Sequence, residues 1–282
     1  MADASSPIIQ VQNVSFHYPG ITELALDHVS LDIARGEFLA LVGQNGAGKT
    51  TLAKLFNGIL RPTDGRVLVD GRDTREAGLE ELARIVGYCY QNPDHQIFSQ
   101  TVKDEVAFGP RNLGMSPAQI ETAVAHALKL VGLEAFASSP PFLLGRGQRQ
   151  QLAVASVIAM GSSVLVVDEP TTGLDLRGSL SIMNLLREWN ADGRTIIIIT
   201  HDMNIVAEFA RRVIVMAGGK KIADGPTRQV LTNQAVLAQA FLKAPQITRV
   251  AQKLSGIGGI PPDVLTVEEM RNEIAKRIKV PA

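Results

Sequence analysis

Cysteine is nearly absent from the 282-residue sequence: Cys89 stands alone. An internal disulfide and a cysteine-rich metal site are therefore excluded, and a reducing compartment is the expected setting. Long apolar runs are missing too. The strongest, such as residues 196–199, fall far below the roughly 18 residues that a bilayer span needs. No sign of charge dominates, with 28 Lys plus Arg against 28 Asp plus Glu. Nothing global then favours a phosphodiester backbone as ligand, and no nucleic acid partner is expected. The start, MADASSPIIQ, has neither a basic stretch nor a long apolar one, so no secretory signal is read there. A soluble, cytoplasmic chain is expected; if it works at a membrane, something else must hold it there. The 45% apolar and 20% charged residues are those of a globular protein with a sizeable core.

What is present is organised by periodicity. Residues 8–11 and 31–33 alternate as antiparallel strands, broken by Tyr18-Pro19-Gly20 and Arg35-Gly36. Phe38 to Val42 is a continuous apolar run, the mark of a strand covered on both faces. Helical spacing follows over residues 49–58. Strands are predicted at 66–69, 85–90, 164–167 and 195–199. Residues 116–131 predict a helix with a Ser116/Gln119 capping box, Pro117 at its first position, and a stripe of Ile120, Val124, Leu128 and Val131. Buried strands alternating with helices imply an α/β fold with a parallel core. From about residue 235 the texture changes. There Thr266 and Glu269 predict a capping box, Val267, Met270, Ile274 and Ile278 one apolar face, and GIGGIPP a linker or turn. The expected division is residues 1–234 and a small C-terminal unit, 235–282, docked on the main body or on a second copy.

The chemistry is concentrated at strand ends. Gly43-Gln44-Asn45-Gly46-Ala47-Gly48-Lys49-Thr50 matches the phosphate-loop pattern in full and lies between a buried strand and a helix. Its glycines let backbone N–H groups turn inward as an anion nest at a helix N-terminus. Lys49 is placed for the terminal phosphates, Thr50 for Mg²⁺, and Thr51 for the α-phosphate. The run 164–167 ends in Asp168 and Glu169 at the mouth of the sheet. Asp168 is the expected Mg²⁺ partner, and Glu169 is placed to orient and deprotonate an attacking water. His201 ends the next buried strand, where a γ-phosphate contact is expected. Gln91 ends another, where an amide can hold Mg²⁺ or the attacking water.

GQNGAGKT, QNPDHQIF, LLGRGQRQQ, VVDEPTTGLD and the strand-end Thr200-His201, in this order, resemble the ATPase subunits of ABC transporters. The resemblance implies ATP and Mg²⁺ as ligands of a P-loop NTPase core. It also implies an N-terminal antiparallel β-subdomain and a helical subdomain around residues 95–165. Tyr18 matches the aromatic that stacks on adenine, and Gly173-Leu174-Asp175 matches the loop that communicates between two sites of a dimer. The run YQNPDHQIFSQTVKDEVAFGPRNLGM, with FLKAPQITRVAQKL, looks like the energy-coupling-factor type, which drives vitamin, cobalt or nickel uptake. That narrower resemblance implies a second ATPase subunit, a peripheral location on the cytoplasmic face of the cell membrane, and integral membrane subunits reached through the segment after Gln91. Ile97, Phe98, Val102, Val106 and Phe108 are the candidate groove residues; the competing reading, packing inside the chain, applies to Val102 and Val106 more than to Ile97 and Phe98, which lie in a polar loop. The alternatives are the motor of another ABC importer or exporter, and a soluble mechanical ATPase.

One motif departs from the family. Its usual leucine-serine-glycine-glycine-glutamine is here Leu144-Gly145-Arg146-Gly147-Gln148, a loop that in the family closes over ATP held by the opposite subunit. Gly145 removes the serine hydroxyl, leaving backbone N–H groups and the helix N-terminus. Arg146 then has two readings: a guanidinium–phosphate contact across the dimer, or a side chain directed at solvent.

Overall fold

Polar and apolar alternation builds the first layer. The computed structural model describes residues 6–277. In it, β1 (Ile9–Phe16) and β2 (Leu26–Ile33) pair antiparallel, with Leu26, Val29, Leu31 and Ile33 of β2 buried. β3 (Phe38–Val42) is buried at every position and runs through residues 43–48 into α1 (Lys49–Phe56). That helix stops short of Gly58, which takes φ +73°. β4 (Asp64–Val69) and β5 (Arg72–Asp73) complete an antiparallel sheet in the order β2-β1-β4-β5.

The second sheet carries the strand ends. α2 (Leu79–Ala83) leads to β6 (Val86–Cys89), and three helices follow: α3 (Val102–Asn112), α4 (Pro117–Val131) and α5 (Arg146–Ile158). Next come β7 (Val164–Asp168), α6 (Leu176–Ala191), β8 (Thr195–Ile199), α7 (Met203–Phe209), β9 (Arg212–Ala217) and β10 (Lys220–Pro226). The strand order is β10-β9-β3-β8-β7-β6, parallel throughout except for the β9–β10 hairpin. Periodicity did not single out that hairpin; β10 reads KKIADGP and has no buried position. Apolar runs in β3 and β8 are continuous because both faces are covered. Phe38, Ala40, Ile196 and Ile198 pack in the core that includes α3 to α5, while Leu39, Leu41, Ile197 and Ile199 pack in the core shared with the first sheet. The Ser116/Gln119 box caps α4 as its sequence requires, with Val124, Leu128 and Val131 buried.

The segment after Gln91 is pinned to α5. Gln96 Nε2 donates to the Ala153 carbonyl at 2.8 Å and to Ser156 Oγ at 3.0 Å, and Arg149 Nε donates to Asp94 Oδ1 at 2.8 Å. Buried Glu105 accepts the backbone N–H groups of Phe98 and Ser99, at 3.1 and 2.9 Å. Of the candidate groove residues, Val102 and Val106 are fully buried in the core of their own chain, which removes them from any groove. Ile97 packs on that core half-buried. Phe98 and Phe108 remain exposed, stacked edge to face with centroids 4.6 Å apart.

α8 (Thr227–Thr232), α9 (Gln234–Gln239), α10 (Gln246–Gly258) and α11 (Val267–Ala275) end the described chain. α10 runs into the stretch expected as a linker and stops at Gly259, whose φ is +62°. Ala251, Ile260, Val264 and Met270 form a separate small core. Leu265 joins the main core, and Arg228 Nη2 bonds Glu269 Oε1 at 2.6 Å. The apolar face expected on α11 is only partly used. Met270 is buried, Val267 and Ile274 are exposed, and Ile278 lies outside the described residues. Thr266 caps Glu269 N–H, but the Glu269 carboxylate bonds Leu265 N–H rather than closing the box.

Replacing Glu105 by Ala should leave two part-buried N–H groups without their acceptor and cost about 1 kcal/mol in urea unfolding. Hydrogen exchange at Phe98 and Ser99 should speed up ahead of the core strands; unchanged protection there would deny Glu105 this role.

Candidate functional site

The parallel register brings the sequence-predicted residues to one sheet edge. Leu41 pairs with Ile199, and Ile199 with Asp168, so the chain leaves β3, β8 and β7 at one level. The 43–48 loop, His201 and Glu169 follow directly. Gly48 sits at φ +95°, and a Cβ there would lie 2.6 Å from the Ala25 carbonyl oxygen, so only glycine fits the start of α1. A Cβ on Gly46 would meet nothing within 4 Å, so there the φ of +80° rather than crowding favours glycine.

Lys49 turns back into this loop, donating to the Gly43 and Gln44 carbonyls at 2.7 and 2.9 Å. Burial lowers its ammonium pKa, and the Glu169 and Asp168 carboxylates oppose that. Thr50 Oγ1 donates to Asp168 Oδ2 at 2.9 Å, and the buried Tyr88 hydroxyl donates to the same oxygen at 2.9 Å. Burial pushes the Asp168 carboxyl above its ordinary value, against the hydrogen bonds from Tyr88 and Thr50. Burial raises the Tyr88 phenol as well, and it carries the Cys89 thiol to about 12, so that thiol is inert.

Glu169 continues the β7 ladder by one bond, its N–H donating to the Ile199 carbonyl at 2.7 Å, and then turns sharply at φ +50°. A side-chain-bearing residue held there is strained by on the order of 1 kcal/mol or more. Three donor groups surround its carboxylate. His201 Nδ1 lies 2.7 Å from Oε1, while Thr172 Oγ1 and Thr200 Oγ1 reach Oε2 at 3.2 and 3.5 Å.

A cleft of about 410 Å³ is lined by Tyr18, Asn45, Gly46, Gly48, Lys49, Thr50, Thr51, Gln91, Asp168 and Glu169. Tyr18 is partly exposed and shares a 3.0 Å hydrogen bond with Thr51 Oγ1, its ring edge-on to Phe16. Gly43 and His201 line an adjoining cleft on the other side of Asn45. Gly145, Arg146, Gly147, Gln148 and Asp175 do not line the first cleft. Gln148 Oε1 accepts the Gly145 N–H at 3.0 Å, and Asp175 caps α6 by accepting the Gly178 N–H at 2.7 Å. Arg146 is exposed, and within its own chain its Nη2 donates to the Thr172 carbonyl at 3.3 Å. Among the described residues no group of three or more His, Cys, Asp or Glu could cage an ion. Thr50 Oγ1 and Asp168 Oδ2 are instead two adjacent hard oxygen donors, a set that suits Mg²⁺ shared with substrate phosphates.

Tyr88 and Thr172 were not singled out by sequence, and Thr200 only as the neighbour of His201. Tyr88 lies in a run read as a buried strand, where a tyrosine passes for core. Only the pairing of β6 with β7 puts its hydroxyl beside Asp168.

The family model described as ABC transporter matches residues 26–172. An energy-coupling factor transporter ATP-binding protein of Methanocaldococcus jannaschii is 41% identical over 96% of this chain and 98% of its own length. A protein of Caldanaerobacter subterraneus assigned as an ABC transporter ATP-binding protein is 46% identical over 93% of this chain. The chain spans 45% of that relative, and 44% of a similar one from Methanosarcina acetivorans. Among solved structures, cbiO1 from Clostridium perfringens, part of the ABC transporter complex cbiONQ, superposes with a TM-score of 0.76. It is 34% identical over 97% of this chain and 100% of its own. The dimeric ATP-binding cassette MJ0796, in a post-hydrolysis state bound to ADP and Pi, gives 0.70 at 28% identity over 78% of this chain and 98% of its own.

The raised Asp168 pKa has a sign that unfolding can read. An acid favoured in its neutral form by folding costs nothing below its ordinary value of 3.8. Its cost grows as pH climbs from there through the raised value, and is complete above it. Asp168→Asn should therefore stabilise the nucleotide-free chain at neutral pH by on the order of 1 kcal/mol, while removing Mg²⁺-dependent turnover. The gain should vanish toward pH 3. A gain equal at both ends of a pH series of urea melts would contradict it.

Proposed function

The chain belongs to the ABC transporter family of ATP-binding proteins, and from that premise we propose that it is the ATP-hydrolysing subunit of an energy-coupling-factor-like importer. The observation that carries the reading is the match with the archaeal energy-coupling factor protein along nearly its whole length, C-terminal unit included. In this proposal residues 1–234 form the ATP-binding domain, with a helical subdomain at about 95–165, and 235–282 a dimerisation or regulatory unit. ATP-driven closure of two subunits moves a membrane partner, and micronutrient uptake is the work done.

The chain's own groups supply the steps. Tyr18 offers a ring face for adenine, and the 43–48 loop offers N–H donors for the β- and γ-phosphates. Lys49 exchanges its two loop carbonyls for phosphate oxygens, its positive charge opposing the charge that develops there. Thr50, Asp168 and Gln91 are the residues that would hold Mg²⁺, which would supply positive charge to offset that of the phosphates. Glu169 takes a proton from the attacking water, its carboxylate aimed by Thr172, Thr200 and His201. His201, with an exposed ring, is free to contact the γ-phosphate on its other side. Gly145, Gly147, Gln148 and Asp175 are read as the half-site presented to the opposite subunit's nucleotide. The dimeric state of MJ0796 supports a second ATPase subunit as partner.

No described helix is long and apolar enough to cross a membrane. Membrane attachment is therefore read as peripheral, through integral partners on the cytoplasmic side. The exposed Phe98–Phe108 pair beside the pinned 92–99 segment offers the apolar contact for a partner helix. Next to Gln91, the Tyr90 N–H donates to Gln96 Oε1 at 3.2 Å, which ties the end of β6 to that segment.

Glu169→Gln should lower kcat by about 100-fold or more while bound ATP stays trapped. Lys49→Ala should weaken Mg-ATP binding by roughly tenfold or more. Chain purified from native membranes should bring integral membrane proteins with it. Ordinary turnover in the glutamine variant would refute the assigned base, and DNA-stimulated ATPase without membrane partners would refute the transport reading.

A further inference from the structure

We propose that Arg146 is a positioning residue for Glu169 of its own subunit, acting through the turn at residues 169–174; this rests on the function proposed above. The arginine that interrupts the glycine pair does not extend from the loop. Its guanidinium lies over Gly173, where a Cβ would fall 2.4 Å from Cζ and 2.7 Å from Nε. Gly173 has φ +75°, so the backbone at this turn exposes a bare face, and the arginine covers it. From there Nη2 donates to the Thr172 carbonyl.

Thr172 joins the arginine to the base. Its carbonyl is held by Arg146, its N–H donates to the Glu169 carbonyl at 3.2 Å, and its hydroxyl donates to Glu169 Oε2 at 3.2 Å. One residue thus has its carbonyl fixed by α5 and its hydroxyl fixed on the base. A second contact runs in parallel, because Leu174 lies against Gly147, with Cδ2 3.8 Å from where a Cβ there would be. Further along, Gln151 Nε2 donates to Ser181 Oγ at 3.3 Å, so α5 and the chain after Glu169 are linked at three levels.

The left-handed Glu169 makes this linkage consequential. Backbone strain at φ +50° persists only when surrounding bonds hold it, and releasing Thr172 removes one of them. A guanidinium donates to a carbonyl oxygen without losing its charge, and its planar fork is pre-organised to sit flat on a glycine. Placed there, Arg146 stabilises the carboxylate geometry that proton abstraction needs, and it does so in cis. This differs from a phosphate contact across a dimer, which would act on nucleotide binding.

The test separates the two by what changes. On the full chain, in the complex with which it purifies, Arg146→Ala should lower kcat by about tenfold, the size of one charge-assisted hydrogen bond. KM for Mg-ATP should stay within about twofold, since the lost interaction serves the chemical step. Arg146→Lys, which keeps a donor for the Thr172 carbonyl, should recover most of the turnover. Thr172→Ala should reproduce the defect, and the double variant should be no worse than about threefold below either single one, because both act through one path. ATP-induced association of Glu169→Gln should survive Arg146→Ala. Loss of that association, or a raised KM at unchanged kcat, would overturn the cis role in favour of a contact across the dimer. Full additivity of Arg146→Ala and Thr172→Ala would overturn it as well. An unmodified chain without Mg-ATPase would instead remove the functional reading on which it stands, and this inference with it.

Discussion

Parallel pairing of β3, β8 and β7 in register is the constraint on which the site depends. Each strand ends at the same level, so a phosphate loop, a histidine and two carboxylates distant in sequence meet at one edge. A slip of one residue would send the alternate side chains of β8 to the wrong core and would move Glu169 away from the Ile199 carbonyl. The apolar packing that fixes this register is on both faces of the sheet. Catalytic geometry is therefore held by residues that never touch the cleft.

That edge also collects what a fold ordinarily avoids. Lys49, Asp168 and Glu169 are all mostly buried, and Glu169 is left-handed besides. The ammonium and the Asp168 carboxyl are each shifted toward their neutral forms by burial, while each partly restores the other's charge. Groups in that condition stabilise the chain poorly and respond strongly to a polyphosphate or a divalent cation. The two sheets and the cores between them offset the cost.

How much was legible follows from how each signal is written. The phosphate loop, the Asp168-Glu169 pair and the end of β8 are contiguous motifs attached to strongly apolar runs, so their shared edge could be expected. Ser116 and Gln119 are likewise local, and the capping box is where its spacing puts it. Tyr88 was hidden because its hydroxyl acts across a strand pair. Val102 and Val106 have the composition of a groove, yet helical facing turns them into the core. The α11 stripe failed for a related reason: a helix of nine residues beside a four-residue core can bury Met270 without burying Val267. The contact of Arg146 with residues 172 and 173 is not legible in sequence, because they lie a helix and a strand away.

These long-range contacts converge on α5. Its first turn holds the Thr172 carbonyl and abuts Leu174; its second bonds Asp94 through Arg149; its middle accepts Gln96 at Ala153 and Ser156. The turn that aims the base and the segment that follows Gln91 are thus fastened to one helix. A helix is stiff along its axis, so a rotation of α5 has two outcomes only. Either both segments move with it, or the bonds at one end break. Leu152 to Val157 are buried among α3 and α4, which resists slippage at the far end. Arg146 at one end and Gln96 at the other thus tie the Thr172 turn and the segment that carries Phe98 to the same helix.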